Sequence, residues 1–301
     1  MKKITFVVCL LMPAIIVGTF YRSEAQVLDG IYVKEHVPAR KPVPYHQLRE
    51  ADMMWTKRIW RIIDMKQKIN LPLYYPTRTD EISGRMSFVN LVLRAWRGDF
   101  ATVSDPRLTL YDFNMLTDDF AVLAEADQID LIKKLSPDYV DTLSVSPGAA
   151  PSSTMIKWDD VFMATYQVTR LLIKEDWYFD KQRAKLEVRI VGIAPILMLE
   201  ISDPNTGEVT GYKQKPWFWI YFPEARSVFA NHEVFNPFND AERRTFDDIF
   251  FYRKFDSYIF KESNVYNDRE IALYKVGLDA LLESEKIKNW MFEIEHDLWE
   301  Y

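Results

Sequence analysis

The sequence predicts an α+β protein with a helical N-terminal half, and an antiparallel sheet with flanking helices in the second half. Three observations carry this expectation. Residues 45–68 and 86–97 place apolar side chains near helical spacing. KLEVRIVGI (residues 185–193) alternates with period two, and ILMLEIS follows Pro195 as a second strand. DPNTGEVTG (residues 203–211) supplies a turn, because Pro presets one backbone angle while Asn and Gly accept positive φ.

The elements follow in chain order. MKKITFVVCLLMPAIIVGTFYRSEAQ opens with Lys2 and Lys3, continues through an apolar run, and ends in Ser23-Glu24-Ala25. This is the pattern of a secretory signal over residues 1–25, cleaved between Ala25 and Gln26. Residues 26–44 carry three prolines near their end and read as an extended arm. Residues 45–143 form the mainly helical part. There Met54, Ile59, Ile62 and Met65 mark a first helix over 45–68, and INLPLYYP (69–76) reads as a strand. A second helix over 86–97 stops at Gly98, and Thr117 caps another that starts at Asp118.

SVSPGAAPSST (144–154) is the linker between the two parts. Residues 155–301 form the α+β part. It has a helix over 158–173, the strands named above and WFWIYF as a further strand. Asn239 to Glu242 resembles a capping box, ahead of helices over 241–261 and from 269 to the end. One internal echo runs through it. WDDVF (158–162) parallels FDDIF (246–250), and each is followed by an apolar triplet and Lys-Glu, at 171–175 and 258–262. A duplication explains the echo, and so do two acid-started amphipathic helices.

Composition narrows the function. Cys9 is the only cysteine, and cleavage removes it, so the mature chain would have no disulfide, thiolate chemistry or Cys-bound zinc. Losing Lys2, Lys3, Arg22 and Glu24 takes the formal net charge from −6 to −8. Such a chain is a poor partner for nucleic acid or anionic lipid, and no membrane span is expected in the mature form. No GxSxG, HExxH or Walker sequence occurs, so no catalytic residue, cofactor or metal site is expected. The Asp pairs 118/119, 159/160 and 247/248 suit the positive ends of helix dipoles. A carboxylate-dependent hydrolase using Asp159 and Asp247 is the weakest alternative, because that chemistry needs acids facing each other across a bond.

WFWIYFPEAR (217–226) raises the sharpest question. Trp217, Trp219 and Tyr221 alternate with Phe218, Ile220 and Phe222, so both faces of the strand are apolar. Burial within the chain, a face for a protein partner and a platform for a periplasmic glycan such as peptidoglycan are all open readings.

KLEVRIVGIAP, WFWIYFPEAR and VFNPFNDAERRTFDDIFFYRKFDSYIFKESN (234–264) resemble the gliding-motility protein GldN family, also called PorN, as do READMMWTKRIWRIID (49–64) and LPLYYP (71–76). The resemblance implies a structural, non-enzymatic subunit of the type IX protein secretion machinery in the periplasm. It also implies ring assembly of many copies with an outer-membrane lipoprotein of the K type, and docking of the periplasmic part of the inner-membrane motor protein M. The interface candidates are then Trp217, Trp219, Tyr221, Pro223, Arg226, Phe229, Phe235 and Phe238. One face of the strand is expected on the core, and a loop over 223–238 is expected to meet the partner.

Overall fold

The computed structural model describes residues 40–77, 85–98, 100, 107–113, 119–124, 167–202, 209–239 and 242–299. Their dominant element is a seven-stranded antiparallel sheet, and it corrects the expectation of a helical N-terminal half. Its strands are β1 (Met53–Asp64), β2 (Leu110–Asp112), β3 (Val168–Asp180), β4 (Lys185–Ser202), β5 (Val209–Pro216), β6 (Phe218–Tyr221) and β9 (Tyr258–Glu262). The order is β2-β6-β4-β3-β1-β9, with β5 beside the far end of β4. Two short strands, β7 (Glu233–Val234) and β8 (Arg244–Thr245), pair separately. Strands from both sides of residues 144–154 share the large sheet; those residues, like Thr117, Asp118 and Trp158 to Phe162, lie outside the described part.

The expected first helix is β1. Its exposure alternates from Met53 to Arg58, with Met54, Thr56 and Arg58 outward, and both faces are buried from Ile59 to Ile63. The near-helical spacing of Met54, Ile59 and Ile62 was coincidental. TKRIWRIID is rich in β-branched and aromatic residues, and a strand covered on both faces has no single apolar stripe to show. Likewise the expected helix over 158–173 is β3 from Val168 onward, because Leu171 and Ile173 are buried on one side of the sheet and Leu172 on the other. The two expected strands around Pro195 are one strand, β4. Pro195 lies where the outer neighbour of β4 changes from β6 to β5, a point at which a missing N–H interrupts no ladder within either pairing.

Five described helices complete the fold: α1 (Leu71–Tyr74), α2 (Phe88–Arg97), α3 (Phe222–Asn231), α4 (Phe246–Phe251) and α5 (Leu278–Trp299). The expected strand over 69–76 is in fact α1, whose first turn holds Pro72, where its missing N–H costs nothing. α2 matches expectation closely. The Ser87 side chain accepts from the Asn90 N–H, and Gly98 ends the helix in the left-handed region at φ 88°. The expected helix over 241–261 is divided into α4, a turn through Arg253 and β9. Its capping box is Thr245 and Asp248: Thr245 Oγ1 accepts from the Asp248 N–H at 3.2 Å, and Asp248 Oδ2 accepts from the Thr245 N–H at 3.0 Å. The expected helix from residue 269 begins only at Leu278, after a 3-10 turn over Ile271–Leu273.

The two faces of the sheet carry different cores. On one, Ile63, Leu171, Ile173, Ile193, Phe218 and Ile220 meet α1 to α4. Phe88 of α2 lies 5.5 Å from Phe229 of α3 and 5.5 Å from Phe250 of α4, ring centroid to centroid, so three helices close on one aromatic cluster. Beside it, Ile287 and Met291 of α5 pack on Ile59, Ile259 and Ile271. The opposite face carries Trp60, Ile62, Leu172, Ala194, Ile196 and Trp219.

The sequence echo has a structural counterpart. LLIKE lies on β3 and YIFKE on β9, and these strands flank β1 on either side. Trp60 stands opposite Lys174 on one side and Lys261 on the other; Ile59 stands opposite Glu175 and Glu262. The repeated string therefore marks equivalent registers about one central strand.

Candidate interaction surfaces

Local structure decides which of the eight interface candidates can meet another molecule. Trp219 is 1% exposed. It stacks on Phe113 at 5.5 Å and meets the Phe120 ring edge-on at 5.9 Å. Trp217 and Phe229 are equally buried, on the helix-covered side, and Tyr221 is half-buried. Both faces of WFWIYF are thus covered within the chain, because neighbouring strands and the Phe120 segment supply partners for each side. Gly192 belongs to the same arrangement: a Cβ there would lie 2.5 Å from the Phe120 ring.

The segment expected as a loop over 223–238 starts as helix α3. Pro223 is exposed in its first turn, where proline is well tolerated. Arg226 points inward. Its Nε and Nη2 donate to the two carboxylate oxygens of Asp247 at 2.8 and 3.0 Å, and its guanidinium lies 4.5 Å from the centre of the Tyr45 ring. Phe235 and Phe238, beyond the helix, are exposed as well, Phe238 to 89%.

Sequence reading missed several features. Glu175, fully buried in β3, accepts from Arg253 at 2.7 and 3.3 Å and from Trp177 Nε1 at 3.0 Å. Three donors offset the cost of burying its charge. A groove of ≈ 270 Å³ opens beside Trp60, lined by Phe113, Phe260, Gln214, Lys261 and Glu270 among others. Lys261 Nζ sits 4.1 Å from the Trp60 ring centre. Among the described residues the buried Nε1 groups of Trp60 and Trp219 have no acceptor. No signal in the sequence pairs residues so far apart. α5 was legible in part: LDALLESEKIKNWMFEIEHDLW has apolar residues on more than one face.

Burial raises the phenol pKa of Tyr45, Tyr178 and Tyr258 above the ordinary 10.0, against the opposing pull of nearby arginines, and lowers that of the Arg61 guanidinium. These groups are tied into the core or the sheet rather than gathered around a cleft. Among the described residues no cluster of His, Cys, Asp or Glu could hold a metal, and no helix is long and apolar enough to cross a membrane. Asp247 is engaged by Arg226 and Asp248 by the start of α4, so this Asp pair serves an ion pair and a helix cap.

What the surfaces define is a protein whose aromatic surplus is mostly spent on its own core, leaving exposed apolar residues after α3 and along α5. The family described as gliding motility associated protein GldN matches residues 48–300, from the turn before β1 to the end of α5. The chain belongs to this family and is a gliding motility associated protein. No curated protein matches the chain.

Proposed function

We propose that the protein is a structural subunit of the periplasmic ring of the type IX secretion and gliding machinery. In this reading it is exported, cleaved after Ala25 and held at the outer membrane by a K-type lipoprotein. Neighbouring copies complete the ring, and the periplasmic part of the motor protein M docks on it. Membership of the gliding-motility family over residues 48–300 is the observation that carries the reading. A leader-like N-terminus and the engagement of Asp247 and Asp248 in purely structural contacts support it. The test is affinity purification of the tagged chain from envelopes, followed by electron microscopy. A high-mass ring that contains the lipoprotein is expected; a free monomer without it would sink the reading.

A second reading, a glycan-binding module, is supported by the groove beside Trp60, where aromatic walls adjoin Gln214 and Glu270. Peptidoglycan fragments would then quench tryptophan fluorescence in the native chain and lose that effect in Trp60→Phe.

A further inference from the structure

The chain reaches β1 through an arm, residues 40–49, that has no regular secondary structure. Two grips hold it. At one, the Arg40 N–H donates to Asn231 Oδ1 at the end of α3 at 2.8 Å, and the Arg40 guanidinium lies 3.6 Å from the Asp248 carboxylate of α4. At the other, the Tyr45 ring lies 4.5 Å from the Arg226 guanidinium, 5.3 Å from that of Arg189 and 5.6 Å from the Phe251 ring. Arg189 Nη2 also donates to the His46 carbonyl. Pro42 and Pro44 stiffen the span between the grips, and Lys41, Val43, Pro44, His46 and Gln47 are exposed.

The seat on α3 and α4 holds the arm through side chains. Among the described residues, no backbone-to-backbone hydrogen bond joins residues 40–48 to the rest of the chain. A segment held by so few contacts opens for a small fraction of the global unfolding free energy. Each opening frees an arm and a seat of matched chemistry. RKPVPYHQ carries Arg40 and Lys41 and no acid, while the seat presents the Asp248 carboxylate and two guanidinium faces for one tyrosine. An identical arm from a second copy makes the same contacts, so exchange costs only the rearrangement of Gln47 to Arg49. Neighbours held side by side raise the local concentration of that second arm without any new contact.

We propose that residues 40–48 of one copy seat on α3 and α4 of the next, so that successive copies are strapped head to tail. The arm of each copy is then the ligand, and the seat of its neighbour the site. The proposal rests on the reading of the protein as a ring subunit and names one contact between copies.

Thiol cross-linking between differently tagged copies tests it, in a chain whose only cysteine, Cys9, is replaced by serine. One copy carries Arg40→Cys and the other Asn231→Cys; both are produced together, and the envelopes are treated with a short bismaleimide. A product bearing both tags is expected. Tyr45→Ala on the arm-bearing copy should lower its yield about tenfold or more, because the aromatic grip is lost. Should that copy not fold, Arg189→Gln on the seat-bearing copy carries the same comparison. A chain with both cysteines that cross-links only at monomer mass, with no two-tag product from the mixed copies, would overturn the proposal. So would the absence of any cross-link, or a two-tag product indifferent to Tyr45 and Arg189. Untreated samples of the same envelopes report the high-mass complex by native electrophoresis. A complex without the two-tag product sinks the exchange alone, and a two-tag product without the lipoprotein sinks the ring reading alone.

Discussion

Arg226 and Asp247 show how single residues divide the work in this protein. Two charges are removed from water between α3 and α4; they compensate each other, and the Arg226 guanidinium also faces the Tyr45 and Phe251 rings at 4.5 and 5.0 Å. Removing one partner leaves a buried charge, so Arg226→Ala should cost about 3–5 kcal/mol in urea unfolding. The double variant Arg226→Met, Asp247→Leu should recover most of that loss, because an apolar pair of similar volume leaves no charge unpaired. Trp219 presents the apolar counterpart. It is closed in by Phe113 and Phe120, so Trp219→Ala should cost about 3–5 kcal/mol by the same measurement. Normal stability in that variant would mean that the indole is not enclosed as described. The tryptophans most suggestive of an interface in the sequence are buried in the sheet's two cores, while Phe235 and Phe238, far less conspicuous there, are exposed. Aromatic identity reports large buried area equally well for a core and for a contact, so the sequence could not distinguish them.

Elements were legible wherever a local rule was sufficient. α2 ends at Gly98 as expected, because a left-handed stop acts within a residue or two; the Ser87 cap at its start emerged only from the structure. The start of α4 obeys an equally local rule, although its box is formed by Thr245 and Asp248 rather than by Asn239 and Glu242. Thr245→Ala should therefore lower stability by about 1 kcal/mol, read as a shift in the urea midpoint at unchanged slope. β1 and β3 defeated the same approach. RIWRIID and VTRLLI are apolar on both sides of a strand, and a two-sided run carries no period by which to tell strand from helix. Their pairing, Ile59 with Glu175 and Ile63 with Leu171, joins residues more than a hundred positions apart. The Lys-Glu echo was visible as text, but its meaning as matched registers on either side of β1 emerges only once β3 and β9 are in place.

At the scale of the whole molecule, burial of phenols links stability to pH. The folded chain holds the protons of Tyr45, Tyr178 and Tyr258 more tightly than an unfolded chain, whose tyrosines ionise near 10.0. That contribution is complete below about pH 10 and is lost as pH rises through the raised folded values. The urea midpoint should fall above pH 10, and Tyr45→Phe should make the fall shallower; an identical alkaline profile in that variant would remove Tyr45 from the account. What the sequence determined by itself was membership of the gliding-motility family, the stop of α2 at Gly98, and a hydrophobic supply large enough for a two-faced sheet. Tertiary structure alone decided that this supply goes into the sheet rather than into N-terminal helices, and that WFWIYF is interior while one side of α5 is not. The physical reason is that hydrophobic attraction has no direction of its own. Composition states how much apolar surface must be covered, but only the arrangement of distant strands settles which residues do the covering.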